Sequence, residues 1–319
     1  MSSALRCSTW TREHGVDPIG TAGSYSGYLL VEWPLPWPRD VAEIPELGDL
    51  ARQARAAGVR LQAVVSESRR GQGSAEFYGW DQGVGGFRGR RADVEGDPAR
   101  LEAWLDGEEP QGAIDVTDAH VLICAHGRRD RCCGSLGTAL ESDLDGGSEP
   151  RESEPARQSQ GASNLGPGVR VSRTSHTGGH RFAPTAVVLP EGTCWGYLDP
   201  QGLAGIVARR DPVTEHIHRY RGCAGLSGSR VQALERAVMA ELGWSLLDRA
   251  RGGRESPDGT TRLIVDDGPG RRAWVARVVV RRRLPVPECG SPVSVAQKTE
   301  DELEVRELRE VDPEPLSEG

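Results

Sequence analysis

The sequence predicts an α/β protein in which an N-terminal α/β domain precedes a second α/β domain with an appended helix and β-hairpin. Three observations predict it. Gly27–Trp33, Pro45–Ala57 and Val59–Val65 read as strand, helix and strand with short connections, the pattern of parallel neighbours. Ala119–Cys124, a helix from Arg131 to about Leu144, and Val169–Thr174 repeat that order further along. Ser229–Leu242 is the clearest amphipathic helix, with Val231, Leu234, Val238 and Leu242 on one face.

Each element has a local cause. The apolar run from Gly27 stops at Pro34, Pro36 and Pro38, so a buried strand leaves into an extended loop. Leu47, Leu50, Ala54 and Ala57 recur at helical spacing until Gly58 ends the helix. Residues 67–91 are rich in Gly and Arg, with Phe77, Tyr78, Trp80 and Phe87 interleaved, and are expected to form an irregular surface segment whose rings cover the domain edge. Asp97 caps a short helix with Pro98 in its first turn. Residues 107–112 read as a linker, which divides the chain into domains at 1–112 and 113–225.

In the second part, residues 145–168 are polar and Gly-rich, a disordered insertion by composition. Ala186–Leu189 and Thr193–Leu198 flank Pro190 to Gly192 as a hairpin. Residues 201–210 are helical. The appended part, 226–290, holds the amphipathic helix and a hairpin from Arg262–Val265 and Ala273–Val280, and 291–319 is expected to be an acidic flexible tail.

At 319 residues the chain is long enough for two ordinary cores. A net charge of −8 argues against general nucleic-acid binding, because no net positive field neutralises phosphates. Seven cysteines, with no C-x-x-C pair, do not form a secretory disulfide framework. The first ten residues hold no apolar segment of signal-peptide length, and no run approaches the roughly 20 apolar residues that span a bilayer. A cytoplasmic protein with no membrane and no nucleic-acid partner is the expectation.

Two stretches carry the chemistry. Val121–Gly134 offers the thiols Cys124 and Cys133, and Ser175–Pro184 offers the imidazoles His176 and His180. Together they supply two soft and two borderline ligands to one metal centre. Cys124 ends a strand and Cys133 lies in the first turn of a helix, whose N–H groups and dipole favour thiolates. Gly178 and Gly179 between the histidines argue for a loop whose backbone comes close to an inorganic centre. Cys132 is adjacent to Cys133, but neighbours in a helical turn point about 100° apart, so one of the two faces the site. Cys7, Cys194, Cys223 and Cys289 read as small packed thiols.

Cys124, His126, Arg129, Asp130, Cys133 and Gly134, followed by His176, Gly178, Gly179, His180, Arg181, Phe182, Ala183 and Pro184 and then by Trp195 and Gly196, resemble the motifs of the sucrase/ferredoxin-like family. The similarity covers most of the chain apart from the insertion and the tail. The resemblance implies a thioredoxin-like ferredoxin domain over residues 113–225 and a [2Fe-2S] cluster held by Cys124, Cys133, His176 and His180. His126, Arg129, Asp130, Cys132, Gly178, Gly179 and Arg181 are then expected to surround and orient these ligands.

Two neutral imidazoles in place of thiolates raise the potential relative to an all-Cys cluster and couple reduction to pH. The implied role is one-electron transfer or redox sensing, with an unidentified redox partner docking at the rim of Arg128, Arg129, Arg131 and Arg181. A structural zinc scaffold using the same four residues is the alternative, against which the long Cys124–Cys133 gap counts. A thiol–disulfide enzyme ranks below both, since C-x-x-C is missing. No pair of carboxylates is placed for glycoside chemistry.

Overall fold

The computed structural model describes residues 5–65, 73–94, 98–144 and 165–313. A short helix α1 (Cys7–Glu13) precedes β1 (Gly27–Glu32), α2 (Gly48–Ala56), β2 (Val59–Val65), β3 (Ser74–Asp81), β4 (Gly86–Asp93), α3 (Glu102–Leu105) and β5 (Ile114–Val116). Then come β6 (Ala119–Cys124), α4 (Thr138–Leu144) with a π-type turn before it, β7 (Val169–Thr174), β8 (Ala186–Leu189), β9 (Thr193–Trp195), α5 (Pro200–Ala208) and β10 (Tyr220–Cys223). The chain continues through α6 (Ser229–Leu242), β11 (Arg251–Glu255), β12 (Thr260–Asp267), β13 (Gly270–Pro285) and β14 (Thr299–Val311).

Ten strands form one mixed sheet in the order β10-β9-β8-β6-β7-β2-β1-β3-β4-β5. The two strand–helix–strand units read from the sequence give its parallel pairs, β1 with β2 and β6 with β7. β2 and β7 meet antiparallel at Val64↔Thr174 and Val65↔Arg173, so one sheet holds strands from both sides of residues 107–112, read above as a linker. Alternation along β1 explains its continuous apolar run. Leu29 and Val31 face a core with Trp37, Leu47, Leu50 and Trp104, while Tyr28 and Leu30 face one with Val64, Leu122 and Val187. Both faces are buried, as such a run requires.

The segment expected to be irregular around 67–91 instead contains the β3–β4 hairpin; residues 66–72 lie outside the described residues. Its Gly- and Arg-rich composition hides a period of two: Ala75 and Phe77 belong with the α2 side and Tyr78 with the other. Gly89 is needed within β4 because a Cβ there would lie 2.7 Å from the Tyr78 ring. The expected insertion lies outside the described residues over 145–164.

Residues 299–311, expected in an acidic flexible tail, form β14, which pairs antiparallel with β13 and completes a four-stranded sheet β11-β12-β13-β14. Its acids meet the arginines of β13: Glu302 accepts from Arg282 at 2.9 Å, Asp301 from Arg283 at 2.7 Å and Glu310 from Arg272 at 2.7 Å. The β12–β13 hairpin is correspondingly longer than the sequence suggested, because β13 continues through Arg281–Arg283 once β14 neutralises it. α6 packs this sheet onto β10, with Val231, Leu234 and Val238 in one core with Leu263, Val265 and Trp274. Among the described residues no helix is long and apolar enough to cross a membrane.

A buried polar network ties the two halves of the large sheet. Glu76 of β3 accepts hydrogen bonds from Arg91 at 2.7 Å, Arg170 at 2.8 Å, Tyr78 at 2.8 Å and His120 Nδ1 at 3.2 Å. Burial keeps His120 neutral, so its Nε2 accepts from Ser172 at 2.8 Å. Burial opposes the charge on Glu76, but His120 and Arg170 outweigh it and hold this carboxyl well below the usual range. Its stabilisation is therefore complete above the unfolded carboxyl pKa of about 4.3 and is lost as the pH falls toward the folded value. Glu76→Gln is expected to lower stability at neutral pH and to flatten the acid limb of the stability curve, measured by urea unfolding from about pH 6 down to about pH 3.

Candidate metal centre

Parallel pairing of β6 with β7 sets Cys124 opposite Thr174, so both strands leave the sheet side by side at their carboxyl ends. β6 leads through Ala125–Asp130 into the helical turn of Cys133, and β7 leads into the His176–His180 loop. The returning turn packs directly on the strand end. A Cβ at Gly137 would meet the Cys124 carbonyl oxygen at 2.0 Å, so only glycine fits there.

Asp130 starts this helical segment: its Oδ1 accepts from the N–H of Cys132 at 2.8 Å and of Cys133 at 3.4 Å. Its Oδ2 lies 3.1 Å from His180 Nδ1. Burial opposes the charge of Asp130, but His180 and the Cys132 N–H prevail and hold its carboxyl below the ordinary range.

The His loop is anchored from below by the N-terminal half of the sheet. Arg60 and Gln62 of β2 donate to the His176 carbonyl at 2.5 and 3.2 Å, and Gln62 Oε1 accepts from Thr174 and Ser175 at 3.0 and 2.8 Å. Gly178 and Gly179 take φ of 85° and 69°, which carries the chain over the buried Arg221. That guanidinium donates to the Gly178 carbonyl at 3.2 Å and to the Thr21 carbonyl at 2.6 Å.

These elements bring the donor atoms of Cys124, Cys133 and His176 within 4.8 Å of one another. The two thiols are buried, and Nδ1 of His176 is buried without a hydrogen-bond partner in the protein. His180 lies outside that group, with its ring centroid 6.1 Å from that of His176. Cys133 donates to Cys124, and with His176 and the Thr177 N–H this pulls the Cys124 thiol well below its ordinary pKa; Cys133 is pushed up by the same bond and by burial. Two sulfurs, one with its thiol pKa lowered, and an imidazole suit a soft or borderline transition metal.

The other sequence-predicted residues separate by role. Cys132 turns away from Cys133 toward Cys289, at 3.1 Å, and toward Cys7. Cys7 and Cys289, read from the sequence as small packed thiols, therefore do not sit alone in an apolar core. Cys194 and Cys223 are buried elsewhere, on β9 and β10, where burial pushes their thiols up to about 11 and about 12. Arg181, expected at an exposed rim, is buried, paired with Glu300 and stacked on Phe182, because β14 lies over it. Arg128, Arg129 and Arg131 are exposed. Arg129 also lines an open cavity together with Arg39, Arg55, Arg60 and His176.

His126, expected to orient a ligand, faces the loop after β1. Its Nε2 donates to the Pro38 carbonyl at 2.7 Å, and its ring meets Trp37 edge-on with centroids 5.7 Å apart. Burial lowers its pKa. Arg60, Gln62 and Arg221 carry no local motif. Their roles arise from pairing across the sheet.

The sucrase/ferredoxin-like family model matches residues 18–222. The protein "altered inheritance of mitochondria protein 32" from Meyerozyma guilliermondii is 33% identical over 96 residues, 29% of this chain and 30% of that protein. The match thus spans less than a third of the curated relative's length. No solved structure matches the chain.

Because His126 props a loop through one hydrogen bond and one ring contact, His126→Ala is expected to cost about 1–3 kcal/mol in urea unfolding. The purified variant should match the wild type in whatever metal it contains. A loss of metal at unchanged stability would return His126 to the ligand environment.

Proposed function

This chain belongs to the sucrase/ferredoxin-like family, and from that premise we propose that it is a [2Fe-2S] redox protein whose ligands are Cys124, Cys133, His176 and His180. The observation that carries the reading is the convergence of two buried thiols and one imidazole within 4.8 Å of one another. His180, one ring further away, supports a dinuclear centre better than a single ion, because two metals share their ligands over a wider span. When bound, such a cluster supplies one-electron transfer at a potential raised by its two neutral ligands.

The protein's own residues then have definite tasks. Cys124 and Cys133 bind as thiolates beside the first helical turn. Asp130 holds His180 through Nδ1, which fixes the ring and leaves Nε2 as the donor. The loop anchors Arg60, Gln62 and Arg221 keep the His176 backbone in place. A proton held on the second nitrogen of an imidazole makes the midpoint potential fall as the pH rises. Exposed Arg128, Arg129 and Arg131, beside the arginine-walled cavity at His176, suit an acidic partner.

Absorption and EPR spectra of the anaerobically purified chain test this reading, together with His176→Cys and His180→Cys variants. The wild type is expected to be red-brown with about two irons and two sulfides per chain. Each variant should shift toward an all-sulfur spectrum and a lower potential. A colourless chain carrying zinc at these four residues would replace the redox reading with the scaffold one.

A further inference from the structure

We propose that Cys7, Cys132, Cys289 and Asp130 form a second metal site, distinct from the one above, that takes a single Zn2+. Their donor atoms all lie within 4.8 Å of one another. Cys132 Sγ is 3.1 Å from Cys289 Sγ, which is 3.5 Å from Cys7 Sγ. Asp130 Oδ1 stands 3.6 Å from Cys289 and 3.7 Å from Cys7.

These spacings match no alternative as well. A disulfide brings sulfurs to about 2.05 Å, far closer than any pair here. Tetrahedral zinc with Zn–S bonds of about 2.3 Å separates its sulfurs by about 3.8 Å, so outward shifts of a few tenths of an ångström would admit the ion. Three thiols and a carboxylate give a complete four-ligand set that leaves no coordination position for water or substrate, the character of a structural site. Cys7 and Cys132 are fully buried and Asp130 nearly so, while the partly exposed Cys289 provides the route in.

The position in the fold says what such an ion would do. Cys7 comes from α1, Cys132 from the first helical turn after β6, and Cys289 from the loop after β13. α1 has seven residues, too few to persist as a helix without tertiary support. The Gly290 N–H already bonds the Leu5 carbonyl at 2.9 Å, so the two distant segments lie side by side. A zinc ion here would fasten both to the body that carries the first site. The Cys132–Cys133 doublet gains a reason: neighbours on a helical turn point about 100° apart and serve two different centres. Asp130 joins the two, since its Oδ2 accepts from His180 while its Oδ1 faces the thiols.

The test is metal analysis of the full-length chain, purified anaerobically, as wild type, Cys7→Ser, Cys289→Ser and Cys124→Ser. The wild type and Cys124→Ser are expected to hold about one Zn2+ per chain, and Cys7→Ser and Cys289→Ser less than about a tenth of that. Cys289→Ser changes a partly exposed side chain, and a wild-type far-ultraviolet circular dichroism spectrum establishes that it folds. Metal-stripped Cys124→Ser titrated with Co2+ should develop intense tetrahedral bands that saturate near one equivalent and vanish when Cys289→Ser is added. Iron retained by Cys289→Ser separates the two centres, so either reading can fail without the other. Wild-type zinc content in Cys289→Ser, loss of zinc in Cys124→Ser, or a zinc-free wild type with a Cys132–Cys289 disulfide would overturn the proposal.

Discussion

The pairing register between β6 and β7 is the constraint on which the site depends. With Cys124 opposite Thr174, the thiol at the end of one strand lies beside the exit of the other, and His176 follows two residues later. A slip of one residue would turn Cys124 to the opposite face of the sheet and carry it away from the imidazole. The register is protected by burial on both faces, since Val121 and Ile123 enter one core and Leu122 another. Thus a site made of residues more than forty positions apart is specified by ordinary apolar packing.

Packing alone would leave the two connecting loops free, and polar contacts fix them. Asp130 caps the turn that carries Cys132 and Cys133 and also holds His180. On the other side, Gln62 locks Thr174 and Ser175 while Arg221 supports the Gly178–Gly179 crossing. Buried groups of this kind stabilise only when they are satisfied, so these contacts favour the loop arrangement that keeps all of them. The N-terminal half of the chain therefore does more than cover the sheet: β2 supplies Arg60 and Gln62 to the loop that bears the histidines.

Local pattern carried much of this. The strands around Tyr28, Leu61 and Leu122, the helix from Ser229 to Leu242 and the hairpin turning at Gly192 follow from apolar periodicity and glycine placement, and the structure has them close to their predicted limits. Cys124, Cys133 and His176 were legible because their residue types and loop glycines are unusual together. What stayed hidden depends on partners far away in the chain. Glu302 and Asp301 look like a solvated acidic tail until they are set against Arg282 and Arg283. Arg181 looks like a surface charge until Glu300 and β14 cover it. Cys7 and Cys289 carry no spacing signal, because 282 residues separate them and only the closed fold makes them neighbours. Likewise the β3–β4 hairpin was masked by glycines and arginines whose alternation is visible only once Tyr78 and Phe77 are assigned to faces.

In the proposed centre two imidazole nitrogens and two sulfurs of this chain hold one iron-sulfur cluster. Pulsed EPR of the reduced, anaerobically purified wild-type protein measures nitrogen bound to iron directly. The expected result is strong coupling to two distinct nitrogen nuclei in a reduced [2Fe-2S] signal. A reduced cluster signal without strongly coupled nitrogen, or with coupling to one nitrogen only, would contradict it.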